Sequence, residues 1–143
     1  MKKGFTLIEL LVVIAIIALL STLSVVALNS ARVKSRDARR LSDIKQIRTA
    51  LEMYFDQNDK YPETDGVIVI GGAAADFDCL SSNGLGVKPC TSTVYLETIP
   101  GDPRGGLTPY YYDCDSVGAT YQLRYHLEGT NQDHIATPAT MGY

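Results

Sequence analysis

The chain has 143 residues, 45% of them hydrophobic, no tryptophan, and a formal charge of −3. Once an apolar N-terminal segment is set aside, that length allows one modest core and not two. The charge is unevenly laid out: residues 29–60 hold eight Lys/Arg against five acids, whereas from Tyr61 onward three cations face ten acids. An acidic C-terminal part lacks the basic patch that a general nucleic-acid surface needs.

Residues 5–28 form a predominantly apolar run, headed by Gly4-Phe5-Thr6-Leu7-Ile8-Glu9 and preceded by Met1-Lys2-Lys3. About 20 apolar residues cross a bilayer as a helix, so the run is long enough to span one. A secretory signal has a shorter apolar region of about 7–15 residues and an Ala-x-Ala-like cut site after it, which is not found here. A plain membrane anchor fits the length but gives no reason for Glu9. An uncompensated carboxylate at membrane depth costs roughly 2.5–3.5 kcal/mol even on forgiving scales. Glu9 therefore asks for a partner.

After Asn29 the apolar residues shift to one face. Leu41, Ile44, Ile47, Leu51, Tyr54 and Phe55 recur at three- and four-residue steps, the pattern of an amphipathic helix. No Pro or Gly falls between Phe5 and Lys60. One continuous helix of about 50 residues is predicted, on the order of 75–80 Å long. It ends at Asn58-Asp59-Lys60-Tyr61-Pro62, where Pro62 pushes Tyr61 out of the helical region. The charged faces between Arg32 and Arg48 read first as a solvated helical surface with i,i+4 pairs involving Asp37 and Asp43. Contact with lipid headgroups and pairing with acidic groups of neighbouring subunits are the functional alternatives.

Beyond Pro62 the signals are loops and short strands. Residues 66–71 are a brief apolar run bounded by glycines and read as a strand; residues 73–78 read as a helical turn. Residues 121–128 alternate enough for a strand, and Asp115, Ser116 and Gly118 mark a hairpin turn between them and Tyr110-Tyr111-Tyr112. The tyrosines at strand spacing read as core and surface packing, with adhesion or stacking as the functional alternative. Cys79, Cys90 and Cys114 all lie in this part. In an extracytoplasmic domain a disulfide persists, and a Cys79–Cys90 bridge would close a turn-rich loop and stabilise the fold by about 2–4 kcal/mol. Cys114 is then left buried, free or paired between chains; the connectivity is not fixed by the sequence. Catalytic constellations and phosphate-cradling glycine loops are absent, and His126 and His134 offer no compact metal-ligand set.

Two stretches carry a resemblance. The short basic leader, Gly4, Phe5-Thr6-Leu7-Ile8-Glu9 and the long apolar helix resemble the N-terminus of type IV pilins and type II secretion pseudopilins. Pro100-Gly101-Asp102-Pro103, Gly106 and Pro109-Tyr110-Tyr111-Tyr112 are similar to the signature of the major pseudopilin group. Much of residues 65–95 lies outside it. The resemblance implies an α+β fold, a long N-terminal helix packed on a small antiparallel sheet. It divides the chain into a leader (1–4), a transmembrane and assembly helix (5–28), its amphipathic continuation (29–60) and an extracytoplasmic loop and sheet region (61–143). It further implies cleavage between Gly4 and Phe5 by a prepilin peptidase, N-methylation of Phe5, and a salt bridge from Glu9 to the Phe5 amino group of a neighbouring subunit.

The implied function is that of a structural subunit of a type IV pilus or pilus-like filament, not an enzyme. The alternatives are a major pseudopilin forming a short periplasmic piston and, with less support, a single-span anchored binding domain. Identical subunits, the peptidase, an inner-membrane platform with its ATPase, and lipid before assembly are the implied partners. The subunit would rest in the inner membrane and end in a surface or periplasmic filament. The positive-inside count pulls the other way, with Arg32, Lys34, Arg36, Arg39 and Arg40 outnumbering Lys2 and Lys3. The Gly4-Phe5 junction and Glu9 are more specific than that count. Where many members carry helix-loosening Gly and Pro, this chain has Ala18 and Val26, which argues against a segment that melts on assembly. Expected cofactors are none. Calcium, held by major pseudopilins in an acidic C-terminal loop, finds weak support: residues 129–134 supply one carboxylate, and Asp113 and Asp115 read as solvated turn residues.

Overall fold

The computed structural model describes residues 4–72 and 75–138. One helix, α1 (Leu7–Asn58), precedes seven short strands: β1 (Ile68–Ile70), β2 (Cys79–Ser81), β3 (Gly84–Gly86), β4 (Val94–Leu96), β5 (Tyr110–Cys114), β6 (Tyr121–Leu127) and β7 (Gln132–Ala136). By its internal contacts the chain divides after Ser35 into two units.

The described part of the first unit is the apolar stretch of α1 with the three residues before it. The large apolar side chains from Phe5 to Leu28 are exposed on all helix faces. That is the pattern of a segment surrounded by lipid or by other helices. Its few hydroxyls are internally satisfied: Ser21 donates to the Ile17 carbonyl at 2.7 Å, Thr22 to Leu19 at 2.8 Å and Ser24 to Leu20 at 2.8 Å. Such back-bonding removes the cost of a polar group in hydrocarbon.

In the second unit the remainder of α1 buries one stripe. Ile44, Ile47, Ala50, Leu51 and Tyr54 form it, and they join Ile70, Tyr110, Tyr112, Tyr121, Leu123 and Ala136 in one core cluster. The expected stripe is corrected at Leu41, which lies half-exposed off that face, while Phe55 packs at its edge. The stripe continues upstream instead onto Asp43 and Arg40. Helix α1 closes at Asn58, whose amide donates to the Tyr54 carbonyl at 2.8 Å. Asp59 follows with a left-handed φ of 55°, and its N–H reaches the Phe55 carbonyl at 2.8 Å. This is a helix C-cap with an acidic residue in place of the usual glycine.

Four antiparallel strands in the order β1-β5-β6-β7 make the main sheet, and β3-β2-β4 make a second. Tyr112 pairs with Leu123 and Leu123 with Ala136, so one cross-strand row is buried throughout. In β5 the burial alternates strictly, with Tyr110, Tyr112 and Cys114 inside and Tyr111 outside. The tyrosines thus settle mostly as core: Tyr61 meets Tyr121 edge-on at 4.7 Å, and Tyr121 stacks near Tyr112. The hairpin joining β5 to β6 turns at Gly118, whose φ is 70°. A Cβ there would meet the Lys60 side chain at 2.8 Å, so both the turn and the close approach require glycine.

Several expectations needed adjustment. The helix begins at Leu7 and not at Phe5. Residues 75–78 are not helical, and Phe77 bridges Ile70 in parallel; positions 73 and 74 of that predicted turn lie outside the described residues. The second sheet occupies a stretch that read as loop, and β7 begins at Gln132, inside the 129–134 tail weighed for calcium. Each missed strand is three residues long or lacks a clean alternation, below what periodicity resolves.

Cys79 and Cys90 are joined by a disulfide, their Cα atoms 6.4 Å apart. Cys114 is free and buried. Burial pushes its thiol pKa up, against a contact with Tyr112 that pulls it down.

Candidate functional site

The first candidate site is the head of α1. Thr6 caps the helix, and its hydroxyl accepts the Glu9 N–H at 3.3 Å. In return Glu9 Oε2 accepts the Thr6 N–H at 2.9 Å and the Thr6 hydroxyl at 2.6 Å. Thr-x-x-Glu is a capping box, in which two otherwise unpaired helix-end donors are satisfied reciprocally. Phe5 and Ile8 flank it, both largely exposed. Both bonds to the Glu9 carboxylate fall on one oxygen. The geometry can therefore do two things: close the first turn from within, and present a negative charge among apolar side chains. Gly4 and Phe5 lie just ahead of the cap, while Met1, Lys2 and Lys3 of the leader lie outside the described residues. The capping box was readable from Thr6 and Glu9 alone, since a Ser or Thr three residues before Glu ahead of an apolar run is its signature.

The second site lies wholly within the second unit and organises the signature residues. Arg40 is fully buried on the core-facing stripe of α1. Its Nε donates to Asp102 at 2.6 Å, Nη1 to Asp37 at 2.8 Å, and Nη2 meets Glu128 at 2.7 Å. Arg36 grips Glu128 with two nitrogens, at 2.8 and 2.6 Å. Asp37 also accepts the backbone N–H groups of Glu128 and Gly129, at 3.0 and 2.8 Å. One helical turn thereby holds both the loop before β5 and the turn between β6 and β7.

Electrostatics follow from that geometry. Burial would lower the Arg40 pKa, but its bonds to Asp102, Glu128 and Asp37 outweigh it and fix the charge. Burial would likewise raise the Asp102 carboxyl, and Arg40 reverses the sign. The two hydrogen bonds from Arg36 lead in depressing Glu128, to about 2 from its ordinary 4.5. A depressed carboxylate contributes stability above its unfolded value and loses it as pH falls through the folded one. Thermal melting should accordingly drop between pH 4.5 and about 2. Glu128→Gln, followed by circular dichroism, should melt lower at neutral pH and show a shallower drop over that window.

Asp43, one turn on, accepts the Tyr110 hydroxyl at 3.0 Å, and burial holds its pKa up. Tyr112 donates to the Pro62 carbonyl at 2.9 Å. Gly106 adopts φ 92° in the loop that carries Asp102. Of the signature residues, Asp102, Tyr110 and Tyr112 are thus brought onto α1 or its end, while Pro100, Pro103 and Pro109 shape the intervening loop without polar contact. Arg36, Asp37, Arg40 and Asp43 are not the solvated surface expected of them. The signal was present: Arg40 and Asp43 fall on the same three- and four-residue steps as Ile44, Ile47 and Leu51. Arg32, Lys34, Arg39 and Lys45 remain exposed.

The acidic side chains of the tail and of the β5–β6 turn already have partners. Asp133, the one carboxylate of the tail, bonds His126 Nδ1 at 2.8 Å, and Asp115 caps the Ala119 N–H at 2.7 Å. Among the described residues no three His, Cys, Asp or Glu side chains form a metal-ready group.

Residues 1–25 match the prokaryotic N-terminal methylation motif. The type II secretion system core protein G of Escherichia coli strain K12 is 33% identical over 104 residues, 73% of this chain and 68% of that protein. Its counterpart in Pseudomonas aeruginosa is 32% identical over 125 residues, 85% of this chain and 80% of that one. The type IV major fimbrial protein FimA of Dichelobacter nodosus is 30% identical over 124 residues, 83% of this chain and 68% of that protein. No solved structure gives a significant match.

Proposed function

The chain belongs to the family of type IV pilins and type II secretion pseudopilins that carry the N-terminal methylation motif, and we propose that it is a structural subunit of a type IV pilus or pilus-like filament. The observation that carries this is the Thr6–Glu9 box at the head of a helix whose apolar side chains, as far as Leu28, are exposed on every face. In the membrane, lipid covers those side chains; in a filament, neighbouring helices cover them. A head-to-tail interface that does not close builds an open helical polymer.

In this reading a prepilin peptidase cuts between Gly4 and Phe5 and the new Phe5 amine is methylated. That amine then pairs with Glu9 of a neighbour, so neither charge stays buried alone. Inserted subunits expose the C-terminal domain outside the cytoplasm, where the Cys79–Cys90 bridge is stable. An inner-membrane platform and its ATPase supply the work of extrusion, and no catalytic step falls to this chain. A second reading, a pseudopilin of a periplasmic piston, is supported by the similarity to type II secretion system core protein G.

The test is intact mass and N-terminal sequence of the chain recovered from membranes and from sheared surface material. A chain starting at Phe5 with one added methyl group is expected. Recovery in the sheared fraction marks a pilus; a processed chain confined to the envelope, with export of enzymes lost on deletion, marks a piston. A chain still starting at Met1 in cells with an active peptidase overturns both.

A further inference from the structure

Three carboxylates from three separate parts of the domain converge on one buried guanidinium. Asp37 comes from α1, Asp102 from the loop before β5, and Glu128 from the turn after β6. The side chains of Arg40 and Asp102 are wholly inaccessible, and Glu128 is only 12% exposed. A cluster of three acidic groups with such burial is what a hard divalent cation ordinarily holds together. Here every carboxylate oxygen already faces an N–H. Asp102 Oδ2 takes Arg40 Nε, and Oδ1 takes Arg40 Nη2 and the Arg104 N–H. Asp37 Oδ1 takes Arg40 and the Glu128 N–H, and Oδ2 takes the Gly129 N–H. Both oxygens of Glu128 bond Arg36, and one of them also meets Arg40.

We propose that Arg40 is the built-in structural cation of this domain, so that the β6–β7 turn and the loop before β5 are fixed without a divalent metal ion. The charge count makes the corollary specific. Three carboxylates against Arg36 and Arg40 leave one net negative charge, partly offset by Arg104 at 3.8 Å from Glu128. Deleting the Arg40 guanidinium leaves two, the deficit one divalent cation fills. Arg40→Ala thus exchanges a guanidinium-held turn for one that depends on calcium. Calcium suits the resulting set better than magnesium, because oxygen ligands left at irregular spacing meet its flexible coordination more readily.

The experiment is thermal melting of the full chain in detergent, in chelator and in millimolar calcium, at matched ionic strength. Wild type is expected to melt within about 2 °C in the two buffers. Arg40→Ala should melt about 10 °C or more lower in chelator and regain a substantial part of that in calcium, by ligand-linked stabilisation. Arg40→Lys keeps the charge and so keeps the fold; it should melt below wild type and ignore calcium. A wild type that loses stability in chelator overturns the proposal. So does an Arg40→Ala chain that melts like wild type, gains no more from calcium than wild type does, or stays unfolded in both buffers.

Discussion

Replacing Glu9 by Gln is expected to abolish filaments while leaving the chain in the membrane. The substitution is chosen for what it preserves. A Gln side chain can still accept from the Thr6 N–H and hydroxyl, so the first turn of α1 remains capped. Only the charge is lost. If Glu9 pairs with the amine of a neighbour in an apolar bundle, the variant strands that amine without a counter-ion. Breaking a buried pair by removing one partner costs about 3–5 kcal/mol, a loss of roughly two to four orders of magnitude in association. Insertion depends on the apolar length of the segment and should be unchanged. Comparing the variant with wild type in sheared and membrane fractions measures both quantities. Abundant filaments from Glu9→Gln would sink the pairing mechanism, and Glu9→Ala, which also removes the cap, should be no less defective.

Asp102→Ala should lower the stability of the C-terminal domain by about 3 kcal/mol, the low end for breaking a buried ion pair. In a domain of this size that corresponds to roughly 10–20 °C in melting temperature. The low end applies because Arg40 keeps Asp37 and Glu128 as partners. Losing Asp102 also frees the Arg104 N–H that it accepts at 2.7 Å, so the loop before β5 loosens with it. By contrast, Glu63→Ala breaks an ion pair with Lys60 that is half-exposed on both sides. Exposed pairs are worth about 0–1 kcal/mol, and that variant should melt close to wild type. Calorimetry on the two variants decides the matter: equal melting temperatures would mean that the buried cluster does not hold the loop.

Much of the α+β architecture is legible in the sequence. The long helix followed from the lack of Pro and Gly between Phe5 and Lys60, and β1, β5 and β6 from their glycine and turn boundaries. At the head of the chain the sequence marked Glu9 as a charge in need of a partner but not its bond to Thr6, although that chemistry is local, three residues apart. The Arg40 cluster was not legible, because its partners stand 62 and 88 positions away on elements whose packing the sequence does not declare. A charged residue on an apolar stripe was the available clue, and charge alone made it look like surface. The three-residue strands β2, β3 and β4 were missed for a different reason, since so short a run shows no period to measure.

The buried thiol of Cys114 sets a limit on how copies of this chain can be joined. With Cys114 buried at the end of β5 and burial raising its thiol pKa, the folded domain has no exposed thiol to offer a neighbour. Copies of the folded domain are therefore not joined through Cys114, and parting them at that residue takes no reductant. The Cys79–Cys90 bridge lies within one chain, so separating copies leaves it untouched.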